Sequence, residues 1–397
     1  MNPPTTIDLF CGAGGLTEGF RQAGFVCLFA NDIDAEASRT FAVNHPRSEL
    51  STSSIEHLMP ARIRKSLGLS AGELDCMVGG PPCQGFSINA PSRSLDDPRN
   101  ALFRHYMAFV CEFKPKTIVL ENVPGMLSLH QGYVVKRIIE GMEELGYSVV
   151  YRILFAAHYG VPQERWRLVI LASRLGEPPE HPMPTHAASA RANFTGGKTL
   201  TLTAPAGSHL LTHVSVEEAI GDLPELEAGM GQEFGPYPGP PNSPYSALMR
   251  AGSNVLYDHV APRISPLNLQ RLQHIRPGGS WRDIPRDLLP EGMKRARRSD
   301  HTRRYGRLSP DGLAGTVMTK MDPHWGPAFH YNQPRTLTVR EAARLQSFPD
   351  RYLFVGSRVS KYRQIGNAVP VAMAKAIAEQ IKSSLDALSC STQARAK

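Results

Sequence analysis

Residues 5–32 read TTIDLFCGAGGLTEGFRQAGFVCLFAND and decide the fold class. TTIDLF is typical of a short strand, the glycine turn CGAGG follows it, LTEGFRQAG is typical of a helix, and FVCLFAND of a second strand. This order predicts two parallel strands joined by a helical crossover. Parallel sheets bind ligands beyond the carboxyl ends of their strands, so we expect the functional site at that edge.

The same alternation continues through the N-terminal half of the chain. LDCMVGG (74–80), KTIVLENV (116–123) and RWRLVILAS (165–173) are typical of strands, and ALFRHYMAFVCEF and YVVKRIIEGMEELG, which lie between them, are typical of helices. The pattern predicts an α/β domain over residues 1–180 with a doubly wound, mostly parallel sheet.

The composition changes after about residue 175. Residues 176–245 contain eleven of the 33 prolines, a density that excludes long helices and interior strands. We therefore expect a smaller, irregular second domain over residues 181–332 and closing segments over 333–388 that return to the first domain. Within the closing segments, Pro370 begins a predicted helix with an apolar face, and residues 389–397 are predicted to be a tail. That face comprises Met373, Ile377, Ile381 and Leu385.

The charge of the chain is concentrated in one stretch. Residues 250–307 contain thirteen Lys and Arg but five Asp and Glu, a net charge of +8 that equals the formal charge of all 397 residues. A local basic field rich in Arg favours a polyanionic partner such as nucleic acid, although a solvated basic loop gives the same pattern. No run approaches the ~18 consecutive apolar residues of a membrane span. The sequence also contains no CxxC pair of the kind that would indicate a metal site.

The glycine turn is a candidate ligand-binding loop. Gly12, Gly14 and Gly15 let the backbone lie close to a ligand, and Asp32 ends the second strand where such folds hold ribose hydroxyls. Thr17 stands where a dinucleotide fingerprint has its third glycine, which disfavours a pyrophosphate ligand. A purely structural turn remains the alternative.

The stretch GGPPCQGFS (79–87) places Cys83 on a loop that directly follows a predicted strand. A thiol in a polar loop at the ligand-binding edge is a candidate nucleophile. A lone cysteine is more often inert packing, as we expect for the cysteines in apolar runs such as FVCLFA and LDCMVGG.

Two further charged groups fall near the same edge. Glu121 ends the strand KTIVL, where partial burial would let it donate a proton near neutral pH. In QERWR, strand alternation predicts that Arg165 and Arg167 point to one side, as two guanidinium groups suited to a phosphate or a carbonyl oxygen. The alternatives are a helix cap for Glu121 and a surface salt-bridge pair for the arginines.

Taken in order, these blocks resemble the motifs of the DNA (cytosine-5) methyltransferase family. IDLFCGAGG is similar to its cofactor turn, PPCQGFS to its nucleophile loop, ENV to its acid motif and QERWR to its arginine motif. RTLTVREAARLQSFPD (335–350) and QIGNAVP (364–370) resemble its two closing motifs. The resemblance implies a class I S-adenosylmethionine-dependent methyltransferase fold, with the irregular region as a target-recognition domain.

The family chemistry assigns roles to the candidate residues. The resemblance implies that the Cys83 thiolate adds to C6 of a cytosine rotated out of the DNA duplex, while Glu121 acts at N3 and Arg165 and Arg167 hold O2. The activated C5 then accepts a methyl group from S-adenosylmethionine. By the same resemblance, the cofactor is held by Phe10, Gly12, Gly14, Gly15, Asp32, Ile33, Ser54, Ile55, Gly80, Pro82, Leu102, Asn367, Ala368 and Val369.

One position departs from the family pattern. The family commonly has an Asp before Ile in its third motif, where it contacts the adenine amino group, and here Ser54 precedes Ile55. Ser54 can accept a hydrogen bond but carries no charge.

The resemblance also implies the partners. We expect double-stranded DNA as the substrate, a separately encoded restriction endonuclease or none, a monomeric enzyme, and a cytoplasmic location with no membrane association. An RNA cytosine-5 methyltransferase and a catalytically idle DNA-binding regulator remain alternatives. Against them, the CFT segment associated with the tRNA-modifying branch is absent, and every residue needed for the chemistry is present. A dehydrogenase would account for the acidic Asp32 at the end of the second strand but not for the sequence PPCQ at residues 81–84.

Overall fold

The computed structural model describes residues 2–81, 102–127, 132–193, 199–202, 210–297 and 303–395. A seven-stranded sheet has the order β3-β2-β1-β4-β5-β7-β6, and its strands are parallel except for β7, which is antiparallel to β5 and β6. This confirms the predicted doubly wound, mostly parallel sheet. The strands are β1 (Thr5–Leu9), β2 (Val26–Asn31), β3 (Glu49–Ser51), β4 (Cys76–Gly79), β5 (Thr117–Asn122), β6 (Ser148–Phe155) and β7 (Trp166–Ser173).

Helices connect these strands and cover the apolar side chains of the sheet. Ile7, Met77 and Ile118 lie in one buried core with Tyr106 and Phe109 of the fourth helix. Burying such side chains supplies most of the stabilisation of a fold of this kind. The helices are α1 (Gly15–Gln22), α2 (Ala35–Asn44), α3 (Pro60–Ser66), α4 (Leu102–Phe113) and α5 (Tyr133–Glu144).

The chain forms two compact units. Unit 1 contains residues 1–159, 166–210 and 369–397, and unit 2 contains residues 160–165 and 211–368. Unit 1 continues with β8 (His186–Ala187), β9 (Ala190–Asn193) and β10 (Thr199–Leu202). The elements of unit 2 are β11 (Leu211–Thr212), α6 (Val216–Ile220), β12 (Gly231–Gly235), α7 (Pro244–Arg250), β13 (Leu256–Val260), α8 (Pro266–Gln273), β14 (Gly306–Arg307), β15 (Pro327–Phe329), α9 (Val339–Leu345) and α10 (Arg358–Asn367).

These units differ from the expected boundaries, because residues 333–368 belong to unit 2 rather than to the sheet domain. The side chain of Arg344 on α9 is fully buried and donates hydrogen bonds to the carboxylates of Asp222 and Asp350. Arg340 donates to the carbonyl oxygens of Tyr257 and Tyr352, each at 3.0 Å. Buried guanidinium groups need such partners, so this network joins α9 to residues far earlier in unit 2.

The C-terminal helix α11 (Val371–Arg395) belongs to unit 1 and packs on α1. Met373, Ile377 and Ile381 are fully buried, which confirms the predicted apolar face. Gly19 of α1 lies so close to this helix that a Cβ there would be 2.4 Å from the Cβ of Ala374. The helix continues to Arg395, beyond the predicted start of the tail, because residues 371–395 contain no Gly or Pro to end it.

Candidate active site

Glu121 and Arg167 form an ion pair at the carboxyl end of β5. Glu121 Oε1 pairs with Arg167 Nε, and the arginine also donates from Nη1 to the Trp166 carbonyl oxygen at 2.8 Å. Glu121 is 9% exposed. The two residues lie on the adjacent strands β5 and β7, where Glu121 is opposite Val169. The structure therefore brings a carboxyl group and a guanidinium group together at the edge where the sequence predicts the site.

The chain leaving β4 lies against the same carboxyl group. A Cβ on Gly80 would be only 3.1 Å from Glu121 Oε2, so a side chain at this position would require the carboxyl group to shift. Asn122 Nδ2 donates to the Pro81 carbonyl oxygen at 3.2 Å. The first two residues after β4 are therefore fixed beside Glu121.

The predicted nucleophile Cys83, like Pro82, lies outside the described residues. Among the described cysteines, Cys11, Cys27 and Cys76 are buried, as predicted for small apolar packing residues. Burial raises the pKa of Cys27 and of Cys76 to about 12, and it raises the pKa of Cys11 well above its ordinary value. None of these three thiols ionises at neutral pH, so none of them is suited to nucleophilic attack.

The glycine turn after β1 is joined to the end of β2 through Asp32. Gly12 N–H donates to Asp32 Oδ2 and Asp34 N–H donates to Oδ1, both at 2.8 Å. Burial raises the pKa of Asp32, and these backbone donors oppose the rise. Each oxygen of the carboxylate keeps a second lone pair, which suits it to accept hydrogen bonds from two adjacent hydroxyl groups.

The surroundings of Asp32 fit an adenosine group. A Cβ on Gly12, whose φ is +54°, would meet no atom within 4 Å, so the turn leaves open space. Phe10 adopts a φ of +61°, which is rare for a bulky side chain and is found mainly at functional sites. Ile33 is 70% exposed and lies directly after Asp32. A carboxylate, a glycine turn and exposed apolar surface are the groups that a nucleoside requires.

The other glycines of this turn have structural roles. Gly14 precedes α1 in the left-handed conformation with φ +87°, and Gly15 is the first residue of that helix. Thr17, which replaces the third glycine of a dinucleotide fingerprint, donates from its hydroxyl group to Asp8 Oδ2 at 2.6 Å. The Thr17 side chain thus joins the first helix to the first strand.

The remaining predicted cofactor residues of unit 1 lie on nearby elements. Asn31 Nδ2 donates to the carbonyl oxygens of Ser51 and Ser53 at 3.0 and 2.9 Å, so the segment that contains Ser54 is held beside the end of β2. Ser54 directly precedes the short 3-10 turn Ile55–His57. Ile55 is buried in the core of the unit, and Leu102, the first residue of α4, packs on that core.

Arg165 has a different setting from Arg167. It belongs to unit 2, is 1% exposed, and donates from Nη2 to the carbonyl oxygens of Gly366 and Ala368 at 2.7 and 3.0 Å. Gly366 and Asn367 end α10, so the guanidinium group lies at the helix C-terminus, where a positive charge is favourable. These contacts indicate a structural role, whereas the family resemblance implies that Arg165 holds the cytosine O2.

The closing segment is divided between the units. Asn367 is exposed and Ala368 half-buried in unit 2, while Val369 is buried in unit 1. Gly366 lies directly against residues 318–319, because a Cβ there would be 2.6 Å from the Met318 carbonyl oxygen.

A sequence profile for the family described as C-5 cytosine-specific DNA methylase matches residues 4–383. The chain belongs to this family. The match spans both units, and the resemblance found in the six sequence blocks is thereby confirmed.

Curated relatives agree with this assignment, and a solved structure shares the fold. The chain is 38% identical to the type II methyltransferase M.AgeI of Thalassovita gelatinovora, over 95% of this chain and 99% of the relative. It is 36% identical to the type II methyltransferase M.DdeI of Desulfomicrobium norvegicum, over 94% and 88%. A putative DNA modification methyltransferase from an E. coli prophage has the same fold, with a TM-score of 0.74 and 24% identity over 96% of this chain and 99% of that one.

The methylase is therefore a DNA (cytosine-5) methyltransferase with the predicted class I fold. No helix in the part of the chain that the structure describes is long and apolar enough to cross a membrane.

Two residues of the site, Asn122 and Asp8, have no role among the sequence predictions. Asn122 fixes Pro81, and its position directly after Glu121 at a strand end was a usable signal. Asp8 lies buried beneath the glycine turn, and an acidic residue inside an otherwise apolar strand could have been recognised in the same way.

Proposed function

We propose that the methylase transfers a methyl group from S-adenosylmethionine to C5 of a cytosine flipped out of a short, specific duplex sequence, through a covalent bond between Cys83 and C6. The observation that carries this proposal is the Glu121–Arg167 pair beside Gly80 and Pro81. Two peptide units separate Pro81 from Cys83, and each spans about 3.8 Å between Cα atoms. In the sequence, the proposed nucleophile thus follows by two residues the segment that lies beside the pair.

The pair matches one edge of a cytosine. N3 and O2 are adjacent acceptors on that edge, and a protonated Glu121 can donate to N3 while Arg167 donates to O2. As the Cys83 thiolate adds to C6, electron density moves into the ring, and donation at N3 and O2 stabilises it. C5 becomes nucleophilic in consequence, and loss of its proton after methylation expels the thiolate.

The cofactor residues would hold S-adenosylmethionine in a fixed orientation. Asp32 would accept hydrogen bonds from the ribose hydroxyls, and Phe10 and Ile33 would provide apolar contact for the adenine. When bound, S-adenosylmethionine supplies an electrophilic methyl group on its sulfonium sulfur. Gly80 would allow close approach at the methyl end, since its Cα carries no side chain.

Unit 2 would supply recognition of the DNA. It carries residues 250–307 with their net charge of +8, a field that attracts the phosphate backbone. Rotating a cytosine out of the stack costs a few kcal/mol, which contacts to the remaining duplex must offset. We assign that work to unit 2 and expect arginines among its base-reading residues.

The cellular setting is a further part of this proposal. A methylase of this kind would protect DNA against a separately encoded endonuclease, act as a monomer, and work in the cytoplasm where the DNA lies. M.AgeI and M.DdeI are named as type II methyltransferases, which supports the pairing with an endonuclease.

Expression in a host without cytosine methylation, followed by genome-wide mapping of 5-methylcytosine, tests the activity and the target sequence together. The wild type is expected to modify one short sequence, and Cys83→Ala is expected to modify none while it still binds that sequence. Cys111→Ala, which changes an exposed cysteine on α4, is the matched control and should behave as the wild type. Modified host RNA with unmodified DNA, or turnover by Cys83→Ala, would contradict the proposal.

A further inference from the structure

We propose that Trp325 of unit 2 is a DNA-contacting residue that stacks on a base left without its neighbour when the target cytosine leaves the duplex. The inference rests on the proposed function and assigns one side chain to a part of recognition that no motif identifies. Trp325 precedes β15 and lies outside the six sequence blocks.

Trp325 differs from the other tryptophans of the chain. Trp166 and Trp281 are buried, whereas Trp325 is 55% exposed. Removing a large aromatic side chain from water is favourable, so an exposed indole whose position is fixed is suited to contact with a partner.

Contacts with neighbouring residues of unit 2 fix the position of Trp325. Its backbone N–H donates to the Asp322 carbonyl oxygen at 3.0 Å, and its ring meets the His324 ring edge to face, with the centroids 5.2 Å apart. His324 Nδ1 lies 3.3 Å from the hydroxyl oxygen of the buried Tyr305. Arg271 in turn donates to that hydroxyl group at 3.2 Å. The exposed indole therefore packs on His324, which packs on Tyr305, and its position is ordered before any partner binds.

Charge beside the indole indicates the kind of partner. The Arg304 guanidinium group lies 5.0 Å from the centre of the Trp325 ring, in a cation–π arrangement that involves one face of the indole. Arg304 also belongs to the basic stretch 250–307. Aromatic rings set among arginines are the surface on which proteins stack unpaired bases.

The reaction creates the base surface that this indole needs. In an intact duplex both faces of every base are covered by neighbouring bases. When a cytosine is flipped out, its two neighbours on the same strand each lose a stacking contact, and its former partner loses its base pair. An indole that stacks there replaces part of the lost stacking and stabilises the flipped state. We therefore expect Trp325 to distinguish DNA with an unpaired base from fully paired DNA.

The test compares two duplexes that carry the mapped target, one intact and one with an abasic site in place of the target cytosine. Trp325→Ala is expected to bind the abasic duplex roughly 10-fold more weakly than the wild type does, within the range that loss of one stacking contact gives. Trp325→Phe, which keeps an aromatic ring, should lose less than about 3-fold. Phe234→Ala is the matched control, because Phe234 is also in unit 2 and is 70% exposed.

Fluorescence provides a readout that needs no variant. Since Trp325 alone of the three tryptophans is exposed, iodide quenching of the wild type reports mainly on this residue, and the abasic duplex should suppress the quenching. Equal binding by Trp325→Ala and the wild type, equal losses in Trp325→Ala and Phe234→Ala, or unchanged quenching on DNA binding would each overturn the inference.

A methylation assay of the wild type on the intact duplex distinguishes failure of the proposed function from failure of the role proposed for Trp325. If the wild type transfers no methyl group, the proposed function fails. If it methylates the duplex while any of the three contrary results is found, only the role of Trp325 fails.

Discussion

The Glu121 carboxylate and the Arg167 guanidinium group form an ion pair across the antiparallel strands β5 and β7. β4 lies next to β5 on its other side, so the chain leaves β4 close to this pair. Among the seven described strands of this sheet, β7 alone runs against the others, and its first residues therefore lie at the carboxyl end of β5. The reversed strand is thus what places an arginine from a later part of the chain beside an acid from an earlier one.

Replacing Glu121 tests the acid role directly. Glu121→Gln is expected to lower the rate of methyl transfer by about 100-fold or more, because general acid catalysis contributes that much and an amide cannot supply the proton. Cofactor affinity should change little, since the proposed cofactor contacts lie at Asp32 and Phe10. Single-turnover methylation and calorimetric titration with S-adenosylmethionine measure the two quantities.

Glu143→Gln on the exposed face of α5 is the control for this experiment. A fall in cofactor affinity without a fall in rate would assign Glu121 to the cofactor site and remove it from the chemistry.

Arg165 and Arg167 are expected to respond differently to the same substitution. Arg165→Lys loses the fork that holds the carbonyl oxygens of Gly366 and Ala368, so the free energy of unfolding should fall by about 2–4 kcal/mol. Arg167→Lys keeps the charge beside Glu121 and should mainly slow methyl transfer. Thermal melting measures the first effect and single-turnover kinetics the second.

Hydrogen exchange distinguishes a structural from a catalytic Arg165. The amides of residues 358–368 should exchange faster in Arg165→Lys and at the wild-type rate in Arg167→Lys. Unchanged exchange and stability, together with a large loss of rate in Arg165→Lys, would restore Arg165 to the substrate role that the sequence predicts.

The features that the sequence predicts correctly are local ones. The first strand and the first helix correspond to β1 and α1, the glycine turn lies between them, and the apolar face of α11 is set by residues four apart. Short-range periodicity and turn chemistry determine such elements, so one sequence was sufficient.

The features that the sequence did not reveal depend on distant partners. β6 is absent from the sequence prediction because it is an edge strand with an exposed Tyr151 and a charged Arg152, and it lacks a clear alternation. The partners of Arg165 lie about 200 residues away, and the arginine network of α9 moves residues 333–368 into unit 2. No local pattern specifies contacts of that range.

Ser54 offers a test of the cofactor alignment. Ser54→Asp is expected to bind S-adenosylmethionine as tightly as the wild type or up to about 10-fold more tightly, because a carboxylate accepts a stronger hydrogen bond from the adenine amino group than a hydroxyl does. Titration calorimetry measures the affinity. Thr52→Asp adds the same charge at an exposed position two residues earlier and should leave binding unchanged. A tenfold loss of affinity in Ser54→Asp would refute the alignment.

Asp8 makes the stability of the methylase depend on pH. Burial raises its pKa from 3.8 to about 7, and the hydrogen bond from Thr17 opposes the rise only in part. Asp8 Oδ1 has no hydrogen-bond partner within the described part of the chain, which leaves the charged form poorly compensated. Between these two pKa values the folded state holds a proton that the unfolded state has lost, so this group lowers stability as pH rises from about 4 to 7.

Asp8→Asn removes the ionisation and should remove that fall in stability. Relative to the wild type, the variant is expected to gain stability with increasing pH, by a few kcal/mol in total between pH 4 and pH 7, and to change no further above about pH 8. The difference between the two melting temperatures, measured across this range, isolates Asp8 from every other titrating group. Thr17→Val provides the reverse control, since it removes the donor to Asp8 and should increase the loss above pH 7. A melting difference that stays constant with pH would show that Asp8 is ionised throughout in the folded protein, and the account of a buried, protonated carboxyl group beneath the glycine turn would then be wrong.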